Sequence, residues 1–204
     1  MTLRRLVLWR HGETDYNASS RMQGHLDSNL TEVGWNQARF AVPALARFSP
    51  EVIVASDLRR ATDTATVFSE ASGVPLRFDK RLRETHLGHW QGRTAVEVDA
   101  EWPGLRQRWQ TDSTSTPPGG ESRVEVAQRA TEVVADLDQG ADETAILCAH
   151  GGLITALTGR LLDLPVANWS QLGGISNCHW TVLARRENSG LQWRLIAYNA
   201  GITG

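Results

Sequence analysis

The sequence predicts an α/β fold: a three-layer sandwich with a largely parallel central sheet, flanking helices and an antiparallel hairpin near the C-terminus. Three observations carry this expectation. Short β-branched apolar runs alternate with segments of helical period, the pattern of strands joined by crossover helices. Two of the runs, RRLVLWRHG at 4–12 and TAILCAHGG at 144–152, stop abruptly at a His-Gly pair. The last two runs flank Glu187-Asn188-Ser189-Gly190, which reads as a hairpin turn.

Strands are expected at 6–9, 52–55, 76–78, 145–149, 179–184 and 192–198. Thr31 caps a helix to about Phe48, and Pro43 should bend or split it because proline lacks an N–H and crowds the preceding turn. A second helix covers 60–72 and stops at Gly73 and Pro75. Ser122 and Glu125 form a capping box for a third, whose Ala127, Ala130, Val134 and Leu137 share one face. A fourth, over 152–162, follows His150 directly, so its first amides should favour an anion beyond the strand ends. From 92 to 120 the pattern weakens into Trp102, Trp109, a polar run at 111–116 and Pro117-Pro118. That stretch is read as a substrate-access excursion, part helix and part loop, within a single domain over 1–204.

The composition, 41% hydrophobic and 22% charged, is that of an ordinary globular protein long enough to bury one core. A formal charge of −2 offers no electrostatic footprint for nucleic acid or an anionic membrane. No apolar stretch approaches the roughly 20 residues of a spanning helix and the N-terminal run is short for a signal peptide, so a cytoplasmic location is expected. Cys148 and Cys178, in apolar runs without paired spacing, are expected as reduced core thiols. The chain has no close His or Cys pairing of the zinc type, no Gly-x-Ser-x-Gly elbow and no Gly-Lys-Ser/Thr loop. Neither a metal nor another cofactor is therefore expected. Lys80 is the single lysine among 21 basic residues, so any phosphate clamp must be built of guanidinium forks.

The charged residues gather where predicted strands end. Arg10 and His11 follow the first strand, Ser56-Asp57-Leu58-Arg59-Arg60 the second, Arg83-Glu84 the third, and His150 a later one. In open α/β sheets ligands bind beyond the carboxyl ends of the strands, so these groups should converge. Two arginines, two histidines and a carboxylate suit a phosphate monoester: guanidinium groups neutralise its oxygens, a neutral imidazole attacks, and a carboxylic acid protonates the departing alkoxide. Arg10 and Arg60 should hold His11 neutral, since like charges disfavour imidazolium. A cleft that only captures phosphate is the rival from another class. Arg59 reads as a surface or hinge residue, and His25, His86 and His89 stand between pocket lining and structural use.

Six segments in order, RHGETDYN at 10–17, MQGHLD at 22–27, SDLRRATDTA at 56–65, LRETHLGHWQG at 82–92, PGGES at 118–122 and AHGG at 149–152, give the chain its resemblance to the histidine phosphatase, or phosphoglycerate mutase-like, superfamily. The resemblance implies that His11 is the phosphorylated nucleophile and Glu84 the general acid, then base. It implies that Arg10, Arg60 and His150 bind the phosphoryl group, assisted by Asn17, Gln23 and the backbone of Gly151. It also implies an ester that carries a carboxylate, for which Arg21, Arg83 and His86 are candidates. Cofactor-dependent mutases of the family carry a longer, more basic insertion after the Glu84 region. Here 92–120 is short and holds Arg93, Arg106 and Arg108 but no lysine, which favours hydrolysis over mutase chemistry, with a broad-specificity sugar phosphatase as a further alternative. The expected partner is a small phosphorylated substrate, without nucleic acid or membrane, and the assembly allowed for is a homodimer.

Overall fold

Alternate residues of the central strands turn to opposite faces, and each face meets its own pair of helices. A computed structural model describes residues 3–186 and 192–202. In chain order it contains β1 (Arg5–Arg10), α1 (Asp15–Ala18), α2 (Glu32–Ala46), β2 (Val52–Ala55), α3 (Arg59–Ser72) and β3 (Leu76–Phe78). There follow α4 (Ala95–Glu101), α5 (Leu105–Thr111), α6 (Arg123–Asp138), β4 (Thr144–Ala149), α7 (Gly151–Leu161), β5 (Trp180–Arg185) and β6 (Trp193–Ala200). The sheet order is β3-β2-β4-β1-β5-β6. Strands β1 to β4 run parallel, and β5 and β6 add an antiparallel edge. The α/β sandwich expected from the alternation is the observed fold. The tetrapeptide 187–190 read as the hairpin turn lies outside the described residues.

Leu6, Leu8, Ala145 and Leu147 pack with α6 and α7 on one face, while Val7, Trp9, Ile146 and Cys148 pack with α2 and α3 on the other. A two-residue period on a sheet covered on both sides produces this division. Neighbouring β1 and β4 send their crossovers in opposite directions, β1 toward β2 and β4 toward β5, so a crevice opens at their carboxyl ends. Gly12 makes the turn out of β1 possible. It lies so close to α2 that an added Cβ would stand 2.5 Å from the Gly34 carbonyl oxygen.

Local differences have local causes. Pro43 does not split α2, because it sits on the exposed face and the carbonyl it orphans belongs to exposed Arg39, where water can serve it. Gly73 ends α3 in the left-handed conformation at φ 74°, and the Ser122–Glu125 capping box starts α6, both as expected. Cys148 and Cys178 are free and buried, although Cys178 occupies a turn ahead of β5 rather than a strand. The weakly patterned stretch after 92 is organised by its own small cluster, with Leu87, Trp90 and Val98 buried beneath Trp102 and Trp109. Trp90 and Trp109 meet edge to face at 5.8 Å between ring centroids.

The central strands carry the core, and Leu147 is fully buried between them and the α6/α7 layer. Leu147→Ala is expected to lower stability by about 2–5 kcal/mol in urea unfolding at an unchanged m value. A loss under about 1 kcal/mol would show that this layer can collapse around the deletion.

Candidate active site

Because β1 to β4 are parallel, the residues that follow them share one rim. His11 follows β1 and prolongs its pairing, the amide donating to the Ala149 carbonyl at 3.1 Å. Its Nδ1 lies 2.7 Å from the Gly12 carbonyl oxygen. A carbonyl only accepts, so Nδ1 carries the proton and the neutral ring keeps its lone pair on Nε2. His150 caps α7 and stands 5.2 Å from His11 between ring centroids. Arg60 Nε donates to His150 Nδ1 at 3.2 Å, which leaves the His150 proton on Nε2. That Nε2 is buried and has no partner among the described residues.

The two arginines are held by backbone carbonyls rather than by carboxylates. Arg60, only 1% exposed, donates from Nη1 to Leu26 O and from Nη2 to Gly24 O, both at 2.8 Å. Arg10 donates from Nη1 to Ile175 O at 2.5 Å, while its Nε is buried without a partner. Burial pushes the Arg60 guanidinium down to about 10, still charged near neutrality, and the nearby Glu84 carboxylate opposes the shift. Burial likewise lowers Arg10, again opposed by Glu84. Both histidines are held well below the ordinary imidazole value, first by burial and then by Arg60 and Arg10. The expectation of a neutral His11 therefore stands, with desolvation ahead of like charge as its cause.

Glu84 occupies the helix terminus that the sequence had suggested for a ligand. Its Oε2 accepts the Gly152 amide at 3.0 Å and its Oε1 the Leu153 amide at 3.0 Å and the Thr85 amide at 2.8 Å. The anion favoured by the first turn of α7 is thus this carboxylate, so those two amides do not face a substrate oxygen. Gly151, the first residue of the turn, lies beside Arg10, where an added Cβ would be 3.5 Å from Arg10 Nε. Behind the acid, the Glu84 carbonyl accepts from His25 Nε2 at 2.7 Å and from Arg129 Nη2 at 2.9 Å, and Arg129 pairs with Glu121 at 2.6 Å.

A cavity of about 200 Å³ is lined by Arg10, His11, Asn17, Gln23, Arg60 and Glu84. Asn17 accepts through Oδ1 from the Thr14 amide and Asn177, and Gln23 accepts through Oε1 from Ser28, so each keeps its amide nitrogen as the unused donor. All the candidate site residues converge on this rim, His150 as a fully buried group behind His11 and Gly151 in the wall of an adjoining space of about 330 Å³. Among the carboxylate candidates, Arg21 reaches the first cavity, but Arg83 turns outward into a two-pronged pair with Asp57 at 2.7 and 2.6 Å. His86 packs edge-on against His25 and binds the Gly119 carbonyl, and exposed His89 lies beside Trp102. Arg59 is exposed and bonds Asn29. Sequence reasoning missed Ser28 and Asn177, for which no local signal exists. It also missed Arg123, although Arg123 directly follows the PGGES segment, and placed Trp109 in the substrate-access stretch without a specific role.

Among the described residues, no group of three or more His, Cys, Asp or Glu side chains is arranged to hold a metal ion, and no helix is long and apolar enough to cross a membrane. Two neutral imidazoles between buried guanidinium groups, with a carboxylate across the cavity, define a phosphoryl-transfer enzyme of the α/β class. The chain belongs to the histidine phosphatase superfamily (branch 1), which it matches over residues 6–200. It is 51% identical over 214 residues to the glucosyl-3-phosphoglycerate phosphatase of Mycobacterium tuberculosis, covering 98% of this chain and 96% of that protein. Identity to the enzyme of the same name from Mycolicibacterium vanbaalenii is 49% over 216 residues, with the same coverage of both chains. The solved structure of mycobacterial glucosyl-3-phosphoglycerate phosphatase complexed with VO3 superposes with a TM-score of 0.92 at 51% identity, over 97% of this chain and 100% of that one.

The depressed histidines make stability depend on pH. Unfolded, His11 and His150 take up protons as the pH falls through about 6.5. Folded, they resist doing so, so their contribution is fully present above that value and is lost below it, down to the folded values. Unfolding free energy measured from pH 8 to 5 is expected to decline below about pH 6.5, and less steeply in His150→Gln. Equal slopes in the two proteins would mean that His150 takes up its proton in the fold as readily as in the unfolded chain.

Proposed function

We propose that this phosphatase hydrolyses glucosyl-3-phosphoglycerate to glucosylglycerate and inorganic phosphate through a phosphohistidine at His11. The observation that carries the chemistry is the His11 ring itself, with Nδ1–H tied to the Gly12 carbonyl and the Nε2 lone pair left at a cavity between two buried guanidinium groups. The substrate follows from the names of relatives near 50% identity over almost the whole chain.

In the first step Nε2 of His11 attacks phosphorus and the ester P–O bond breaks. The unpartnered donors, Arg10 Nε and His150 Nε2–H, are suited to the equatorial oxygens, where charge accumulates. Glu84 gives the leaving alkoxide its proton and later accepts one from the water that attacks phosphohistidine. The arginines of the 92–111 stretch favour hydrolysis over transfer to a second acceptor. Arg93 pairs with Glu101, Arg106 with Asp99 and Arg108 with Asp112, so none is held ready for a second phosphate.

Two experiments test the chemistry. His11→Ala should abolish both turnover and acid-labile labelling of the protein by phosphorylated substrate, and substantial residual turnover would mean that water attacks the ester directly. Glu84→Gln should slow transfer from glucosyl-3-phosphoglycerate by about a hundredfold, since an alkoxide needs a proton to leave. An aryl phosphate should lose far less in that first step, because nitrophenolate departs unaided, and its phosphoenzyme should accumulate. Equal first-step losses for both esters would remove Glu84 from the role of acid.

A further inference from the structure

The second space at the rim shares Arg10, Glu84, Trp109 and Gly152 with the His11 cavity, so one bound molecule can extend from one into the other. Its cationic wall residue beyond the shared group is Arg123, the first residue of α6. The guanidinium lies 4.3 Å from the centroid of the Trp109 ring, and Nη1 donates to the Trp109 carbonyl at 2.7 Å. A weaker bond at 3.3 Å reaches the Gln110 carbonyl. These contacts fix the plane of the fork without neutralising it, and Arg123 has no ion-pair partner among the described residues. The contrast with its rivals is direct. Arg21 is paired with Glu97 at 3.4 Å, and the Arg83 fork is filled by Asp57.

We infer that Arg123 is the specificity-determining residue that receives the carboxylate of the substrate, with Trp109 holding its guanidinium in place. This rests on the substrate reading above. In a phosphoglycerate ester the carboxylate sits a few bonds from the reacting phosphorus, and the glucosyl group branches from the carbon between them. A carboxylate cannot share the Glu84 side of the rim without repulsion unless a cation stands there. Arg123 supplies that cation, and its planar fork matches two carboxylate oxygens. Partial burial lowers the Arg123 guanidinium while Glu84 raises it, consistent with a charge set close to the acid. The arrangement gives the enzyme a means of selecting acidic esters that is separate from the groups that hold the phosphoryl oxygens.

The test compares 3-phosphoglycerate with glycerol 3-phosphate, which differ in carboxylate against hydroxymethyl, in the wild type, Arg123→Gln and Arg123→Lys. The readout is the ratio of kcat/KM for the two esters, which cancels any general loss of folded enzyme. The wild-type ratio should exceed one, fall by about tenfold or more in Arg123→Gln, and recover only partly in Arg123→Lys, which restores charge without the fork. A ratio above one that does not change in Arg123→Gln would overturn the assignment of Arg123 and leave the substrate reading intact. A wild-type ratio of one or below would also overturn the assignment, because the enzyme would then not read the carboxylate of these esters. Turnover of glucosyl-3-phosphoglycerate itself by the wild type tests the substrate reading separately.

Discussion

Burying two guanidinium groups at the carboxyl end of a parallel sheet is the constraint around which the rest of this molecule is arranged. A desolvated cation needs either a counter-charge or a full set of acceptors. Here backbone carbonyls do most of that work. The turn at 24–26 supplies two acceptors to Arg60, Ile175 supplies one to Arg10, and Glu84 provides the facing negative charge. The loops are therefore part of the electrostatic structure of the site. Displacing the 22–28 segment would leave Arg60 with His150 as its remaining close partner.

The same constraint explains the state of the histidines. A site with two fixed positive charges tolerates imidazole only in its neutral form, and burial reinforces this. Neutrality alone does not specify which nitrogen is reactive. Gly12 O decides it for His11 and Arg60 Nε for His150, in opposite senses, so one ring offers a lone pair and its neighbour offers an N–H. A nucleophile and a hydrogen-bond donor for the phosphoryl group thus arise from the same residue type.

Glu84 links the two cavities and ties the α7 terminus to the opposite side of the rim. Three backbone amides hold its carboxylate, while His25 and Arg129 hold its carbonyl from behind. Arg129 is oriented in turn by Glu121 of the PGGES segment. A close relation between that segment and the acid loop follows: the Glu121 amide donates to His86 O, and the His86 amide donates to Glu121 Oε1. Of the Glu84 carboxylate oxygens, Oε1 takes two of the three amides and Oε2 takes one, so Oε2 is the oxygen with a site left to carry the proton that is passed to a leaving group.

The α/β class, every strand, the four long helices and the gathering of His11, Arg60, Glu84 and His150 at one rim were legible in the sequence. Periodicity, capping residues and terminal glycines are local properties, and parallel strands deliver their ends to one edge wherever the side chains point. Residues 92–120 lose the periodicity of the sheet elements, and Trp102 and Trp109 there pack over Leu87, Trp90 and Val98 in a separate cluster instead of joining the sheet core. What the tertiary structure alone decided is the partner of each polar group. Arg83 and Arg123 both adjoin motifs in the chain. Asp57, 26 residues away in sequence, fills the Arg83 fork, whereas Arg123 lies against Trp109 beside the site. The first amides of α7 looked available for a ligand until the fold brought in the Glu84 carboxylate from 68 positions earlier. Such choices depend on distances between residues remote in the chain, and a buried charge takes whichever compensating group the packed fold brings within hydrogen-bond reach.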